Sequence, residues 1–413
     1  MSEPFPRSAV TRRCFLGSCA ALTVAHPVLA SPLLALNTAD VKTMLAFVGT
    51  YTGAPGAGSN GEGIYAFDMN PVSGELSHRR LVAKTPSPSW LCVHPSGKYL
   101  YAANEVSDFR DGNGSVSAYR IDRSTGDLTA LNVVGSEGAD PCYLTLDAAG
   151  KYAFVANYAG GSIAVLPILG DGSLGAATDI RSDVSHLGAT QAPSAPPGSY
   201  AISGHEAPHA HMIAPDPHHR FVLATDLAQD RIYTYGFDPT TGKLTPTADA
   251  PFTSLPSGDG PRHFAFHPNG RWLYSIQEEA STIVFFHFDP DTGSLRSQQT
   301  VSALPPGFTG TSFASEILLS PDGRFLYAAN RLSNTIASFS IAVDGRLNLV
   351  NHTPTIGDYP AQLRLDPSAN FLYACNRRSD NITCFRIDRQ TGILSFTGHY
   401  TAVGSPGSIT FLD

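Results

Sequence analysis

Charge is in short supply, and positive charge most of all. Charged residues make up 15% of the 413-residue chain, 27 basic against 35 acidic, where about a quarter is usual for a soluble domain. There is no basic cluster, so nucleic acid is not an expected partner. Long apolar runs are missing as well. The run at residues 19–24 is far shorter than the roughly 20 residues that cross a bilayer as a helix, so no membrane span is expected in the working protein. Cysteine is sparse, with six in the chain. None stands at a useful spacing from a histidine, which speaks against a thiol nucleophile. No arrangement of donors, His205, Glu206 and His209 included, matches a zinc signature, and neither metal nor cofactor is expected. Residues 52–63 are rich in glycine, but a strand follows them, not a helix whose N-terminus could hold a phosphate.

Glycine and proline are plentiful, 38 and 31, and they punctuate a repeat. The stretch at residues 260–279 reads as a strand (262–267), a Pro-Asn-Gly turn and a second strand (271–277). Its apolar positions alternate, as in a hairpin. The same frame recurs at residues 94–104, 147–157, 216–226, 320–330 and 366–376, which makes six copies. A third strand follows each, ending in a turn and a leucine, as in Thr292-Gly293-Ser294-Leu295 and Asp344-Gly345-Arg346-Leu347. That element occurs seven times.

The ends of the chain resolve six against seven. Residues 406–412 have the form of a first strand with nothing after it, and residues 45–51 that of a second strand with nothing before it. Together they complete a seventh unit. A period near 50 residues with about four short strands per unit is the pattern of a β-propeller. The fold expected is all-β, a seven-bladed β-propeller over residues 44–413 whose two termini share one blade. Closure of that kind shields the edges a ring would leave open.

Residues 11–17, Thr-Arg-Arg-Cys-Phe-Leu-Gly, precede the short apolar run, and Val28-Leu29-Ala30 makes a small-residue exit. This resembles a bacterial twin-arginine export signal, so residues 1–30 are expected to be a Tat-type signal peptide and 31–43 a linker. The Tat export machinery would be a partner during secretion, and the protein periplasmic or secreted. Cleavage would remove Glu3, Arg7, Arg12 and Arg13 and leave 24 basic against 34 acidic residues. Of the four cysteines left, Cys375 and Cys384 fall on adjacent strands and could pair in an oxidising compartment. Four buried thiols packed as small apolar groups is the simpler reading. The long segment at residues 187–206 is rich in Pro, Ser and Gly and is expected to be a flap at the channel mouth. His94, His218, His219 and His267 sit at turns and read as structural.

The repeat register locates a site. The start of each first strand and the end of each second strand lie at the same end of a blade, next to the central channel. The position six before the turn residue holds Ser89, Cys142, His211, Arg262, Ser315, Ala361 and Gly407; the position ten after it holds Glu105, Tyr158, Leu227, Glu278, Arg331 and Arg377. His211, Arg262, Glu278 and Arg331 thereby share one rim on consecutive blades. Guanidiniums offer a fixed fork to a carboxylate or a developing oxyanion, and imidazole and carboxylate can move protons. The bland alternative is an inter-blade brace, Glu278 ion-paired to Arg262 or Arg331.

Pro208-His-Ala-His211, Gly260-Pro-Arg-His263, Glu278 after Gln277, residues 320–331 and residues 157–162 together resemble the seven-bladed propeller lactonases. That family includes propeller-type 6-phosphogluconolactonases and carboxy-cis,cis-muconate cyclases. The resemblance runs from residue 45 to the C-terminus. It implies metal-independent hydrolysis of a small sugar lactone, 6-phosphogluconolactonase-like, and a catalytic set of His211, Glu278, Arg262 and Arg331. His209, His263, Glu105, Tyr158 and Arg377 form the expected substrate-binding set. Two departures bear on the substrate: export, which makes an unphosphorylated lactone an equal expectation to the phosphorylated one, and a guanidinium swap on the rim, which leaves the anion open. Ala361 stands where the family commonly has arginine, and Arg377 where it often has glutamine. The alternatives are a muconate-type lactonising cyclase and a non-catalytic ligand- or protein-binding propeller of the cell envelope.

Overall fold

The computed structural model describes residues 43–53, 59–182, 186–200 and 204–412. The expected export signal at 1–30 and almost all of the linker lie outside them. The described residues form seven antiparallel sheets, each a meander of four strands, arranged as the blades of a propeller. Blade three carries one extra short strand, Phe252–Ser254, paired with Arg231–Asp238. Among the described residues no helix is long and apolar enough to cross a membrane.

The inner strands of blades one to six are Pro88–Val93, Pro141–Leu146, Ala210–Pro215, Pro261–Phe266, Phe313–Leu319 and Pro360–Leu365. Blade seven is built from both ends of the chain. Its inner strand, Pro406–Leu412, pairs antiparallel with Met44–Thr50, with Leu45 opposite Leu412 and Val48 opposite Ile409. Ile409 and Phe411 enter one apolar cluster with Tyr373, Cys375 and Cys384 of blade six, while Leu412 packs with Leu91 and Leu100 of blade one. The closing blade is thus buried against both neighbours.

The repeat motif is a contact between blades. Tyr101, Tyr274 and Tyr373 are fully buried, and each hydroxyl donates to a glycine carbonyl in the outer turn of the next blade: Gly172 at 2.9 Å, Gly345 at 2.7 Å and Gly74 at 2.8 Å. Gly345 explains why the turn needs glycine. Its φ is +89°, and a Cβ there would lie 2.3 Å from Phe285 of blade four. The turn histidines do similar work. Nε2 of His94, His218 and His267 lies 3.0, 3.2 and 3.0 Å from the carbonyls of Gly150, Gly270 and Gly323, each on the following blade.

All four described cysteines are free. Cys375 faces Ile382 and Cys384 faces Tyr373 across the same strand pair, so the two thiols are out of register for a bridge.

Gly345→Ala should destabilise the fold more than Gly398→Ala, whose φ is also positive (+86°) but whose Cβ would meet nothing within 4 Å. Both lose the left-handed conformation that favours glycine, and only the first also overpacks an inter-blade contact, at a further cost of about 1–3 kcal/mol. Urea midpoints of the two variants measure the difference; equal midpoints would refute the inter-blade role.

Candidate active site

Each inner strand begins with a β-bulge. Partner residues skip from Pro88 to Trp90, Pro141 to Tyr143, Ala210 to Met212, Pro261 to His263, Ala314 to Ile317 and Pro360 to Gln362. In blade seven the same skip runs from Pro406 to Ser408. The unpaired residues are Ser89, Cys142, His211, Arg262, Ser315 with Glu316, Ala361 and Gly407, one repeat position around the whole ring. A bulge bends its strand and re-aims the extra side chain. Here it aims six of them into the mouth.

The mouth holds a cavity of about 270 Å³ lined by Ser89, Cys142, His211, Arg262, Ala361 and Gly407 from the bulges. Glu105, Tyr158, Glu278, Arg331 and Arg377 line it from the ends of the second strands. His211, Arg262, Glu278 and Arg331 are therefore brought to one opening. Ser315 turns away, its hydroxyl donating to the Pro360 carbonyl at 2.7 Å. Leu227 is fully buried outside the lining.

Glu278 is the hinge of this group. Arg262 Nε lies 2.9 Å from Glu278 Oε2, close enough for an ion pair though not aligned as a hydrogen bond. Arg331 Nη2 pairs with the same oxygen. The brace anticipated as an alternative is present, and it lines the cavity as well. Arg262 also donates through Nη1 to the Ser315 carbonyl. Arg331 is fixed by donation to the carbonyls of Phe313 (3.4 Å) and Ala314 (3.3 Å) and to the Tyr359 hydroxyl (3.3 Å). Two guanidiniums against one carboxylate leave this wall net positive.

His211 is buried between blades two and four. Its ring is 5.0 Å from that of His263 and 5.5 Å from Tyr158. Burial, joined by the charges of Arg262, His263 and Arg331, holds its pKa well below the usual 6.5. The imidazole is neutral at physiological pH. Cys142 Sγ lies 3.7 Å from His211 Nδ1, a neighbour that sequence spacing did not reveal, because the ring sets equal positions of adjacent blades side by side. Burial, and after it the charge of Glu105, pushes that thiol well above its ordinary pKa, so the contact does not make a nucleophile.

Two of the expected substrate-binding residues do not line the cavity. His209 precedes its strand and stacks behind Tyr158, rings 4.2 Å apart and nearly parallel, with Nδ1 3.0 Å from the Tyr158 carbonyl. It supports a lining residue from behind. His263 follows the bulged Arg262 and points down the channel, where Nδ1 meets Glu316 Oε1 at 3.0 Å. There it packs with Trp90 and Tyr143 (ring centroids 5.5 and 5.1 Å) into an aromatic plug under the cavity. Trp90 also lines a second cavity, of about 380 Å³, on the far side of the plug.

The sequence reading missed Tyr51, Trp90, Phe313, Tyr359 and Arg378, all of which line the mouth cavity. Tyr51 had a signal. It follows Thr50 as Glu105 follows Asn104, so it is the closing blade's member of the second rim series. The two guanidiniums on this side sit over rings, Arg377 Cζ 3.5 Å from the centroid of Tyr51 and Arg378 Cζ 3.8 Å from that of Tyr359.

The segment expected to be a flap follows the rim of blades three to five. Gly188 N donates to the Ala228 carbonyl (2.7 Å), Ser194 Oγ to Asp259 Oδ1 (3.0 Å), and Gly310 N to the Pro197 carbonyl (2.8 Å). None of its described residues lines the cavity. Among the described residues no group of three or more His, Cys, Asp or Glu converges as metal ligands.

Glu278→Gln should destabilise the protein by about 3 kcal/mol, because it leaves two buried guanidiniums without their counter-charge. Thermal melts would register the loss, and millimolar phosphate should restore part of it by taking the vacated place between Arg262 and Arg331. A melting temperature equal to wild type would refute the pairing.

A family model described as lactonase, 7-bladed beta-propeller, matches residues 45–411. The 6-phosphogluconolactonase of Bacillus subtilis is 34% identical over 369 residues, 89% of this chain and 98% of that protein. That of Formosa agariphila is 30% identical over 84% of this chain and 94% of its own length. Among solved structures, a periplasmic gluconolactonase from Pseudomonas aeruginosa superposes with a TM-score of 0.80 at 30% identity, covering 90% of this chain and 99% of that one. The contents of the mouth cavity and these likenesses agree: the chain belongs to the lactonase family of seven-bladed β-propellers.

Proposed function

We propose that the protein hydrolyses a small sugar lactone in the mouth cavity, with His211 taking the proton from the attacking water. Arg262 and Arg331 then stabilise the tetrahedral oxyanion and hold the forming carboxylate, and Glu278 fixes the spacing of the two guanidiniums. The observation that carries this reading is the convergence of His211, Arg262, Glu278 and Arg331 on one cavity of about 270 Å³, in a chain whose relatives are named as lactone hydrolases.

Between His211 and Glu278, the imidazole is the better candidate for the base. Glu278 Oε2 is occupied by both guanidiniums, whereas His211 is neutral and so in its accepting form. A depressed pKa makes it a weaker base, but the proton it receives arrives as negative charge forms on the carbonyl oxygen nearby, and the two charges offset each other.

His211→Gln should lower kcat/KM for gluconolactone or its 6-phosphate by about 10²–10⁴-fold, and Arg262→Ala by about 10²–10³-fold, after correction for spontaneous ring opening. Because the folded pKa of His211 lies below 6.5, proton uptake that removes the base sets in only under that pH. The acidic limb of kcat/KM should therefore fall below pH 6.5 in wild type. Wild-type rates at background on a broad lactone panel would refute the function; a limb above pH 6.5 would refute His211 as base.

The site of action is proposed to be outside the cytoplasm. Support comes from the Arg12-Arg13 signal pattern and from the likeness to a protein named as periplasmic. Fractionation of cells expressing the full chain should find it processed and exported, and Arg12→Lys with Arg13→Lys should retain it inside. Equal export of both forms would refute the twin-arginine route.

A further inference from the structure

Two carboxyl groups line the mouth cavity, and their surroundings differ. Glu278, at the end of the second strand of blade four, is bound by Arg262 and Arg331. Glu105 occupies the equivalent place in blade one, three blades away in a ring of seven, and so stands across the opening from Glu278. It makes no ion pair among the described residues. Its Oε2 instead accepts a hydrogen bond from the Tyr51 hydroxyl at 3.0 Å. Tyr51 is covered by the Arg377 guanidinium, 3.5 Å from its ring centroid, which holds the phenol in place behind the carboxyl.

We propose that Glu105 is the general acid of the reaction, delivering its proton to the ring oxygen as the lactone opens. The assignment rests on the lactonase reading and adds the half of the chemistry that His211, Arg262 and Arg331 leave undone. Water attack on the carbonyl carbon puts a proton on His211 and a negative charge on the carbonyl oxygen. Collapse of that intermediate breaks the bond between the carbonyl carbon and the ring oxygen, and the electron pair leaves on the ring oxygen. An aliphatic alkoxide is a poor leaving group, so a proton must reach it as the bond breaks. Glu105 supplies it and becomes a carboxylate; the new carboxylic acid returns a proton to Glu105, and His211 releases its own to solvent. The balance is one lactone and one water to one hydroxy-carboxylate and one proton.

The electrostatics around Glu105 suit a donor. The groups facing it are Tyr51 from blade seven, Ser89 from its own blade, Arg377 from blade six and Asp140 from the connection to blade two. Burial raises its pKa, with Asp140 adding to the rise, and the opposing influence of Ser89, Arg377 and Tyr51 does not cancel it. Tyr51 is itself pushed up, by burial first and by Glu105 next, so it stays a phenol and keeps donating. Paired titratable groups driven apart by environment are a recurrent signature of divided acid and base roles.

The test compares leaving groups. Glu105→Gln keeps an acceptor for Tyr51 but has no proton of the required acidity. With an aliphatic δ-lactone, kcat should fall by about 10²-fold or more. With an aryl lactone such as dihydrocoumarin, whose phenolate leaving group has a conjugate acid near pKa ~10 and needs no proton, kcat should stay within about threefold. The retained aryl activity also shows that the variant is folded. On the aliphatic lactone, wild type should lose kcat as pH rises through the Glu105 pKa, and the variant should lack that limb. Equal fold-losses on both lactones, or an aliphatic kcat near wild type, would overturn Glu105 as the acid while leaving the lactonase reading intact. Wild-type protein that opens neither lactone would overturn both.

Discussion

The ring depends on one strand pairing. Met44–Thr50 against Pro406–Leu412 joins residues some 360 positions apart, and without it two blade edges would face solvent with unpaired backbone groups. Every other blade is a local meander whose strands follow one another in the chain. The closing blade is the only one assembled across the full length, so its formation is what converts a row of hairpins into a closed fold. The buried Tyr contacts and the turn His contacts from blade to blade then fix the spacing of the ring, since each reaches a backbone carbonyl of its neighbour.

A closed ring turns sequence register into geometry. Residues at one repeat position must stand at one height around the channel, which is why His211, Arg262, Glu278 and Arg331 could be placed on a common rim from the turn residues alone. The number of blades and the way they close were legible for the same reason: the repeat is marked by turn chemistry, and the incomplete units at the two ends sum to one. Other features lay beyond that logic. A bulge adds no residue type that a pattern could reveal, yet it determines that Arg262 faces the cavity while His263 turns down the channel. Contacts across blades, such as Cys142 with His211 and His209 with Tyr158, depend on side-chain direction and not on spacing. Tyr51 was legible in principle but was hidden because the closing blade lacks the turn used to align the others.

The site joins two kinds of ordering that often compete. The ion-paired triad of Arg262, Glu278 and Arg331 braces blades four and five, and the same groups present positive charge to the cavity. Structural and chemical roles coincide because the carboxylate holds both guanidiniums through one oxygen, while contacts to the carbonyls of Ser315, Phe313 and Ala314 and to the Tyr359 hydroxyl fix where the two groups sit. Such pre-organisation means little has to move when a negative charge develops, which is where an electrostatic site gains over water. In blade six the bulge position is Ala361 and carries no charge, and the guanidinium on that part of the rim is Arg377, which lies over the Tyr51 ring.

The aromatic cluster under the cavity bears on traffic through the ring. Trp90, Tyr143 and His263 pack together beneath the mouth cavity, and Trp90 is the wall it shares with the second cavity. A hydroxy acid formed there and leaving by the mouth would carry a fresh negative charge past Arg262 and Arg331, both of which line that opening.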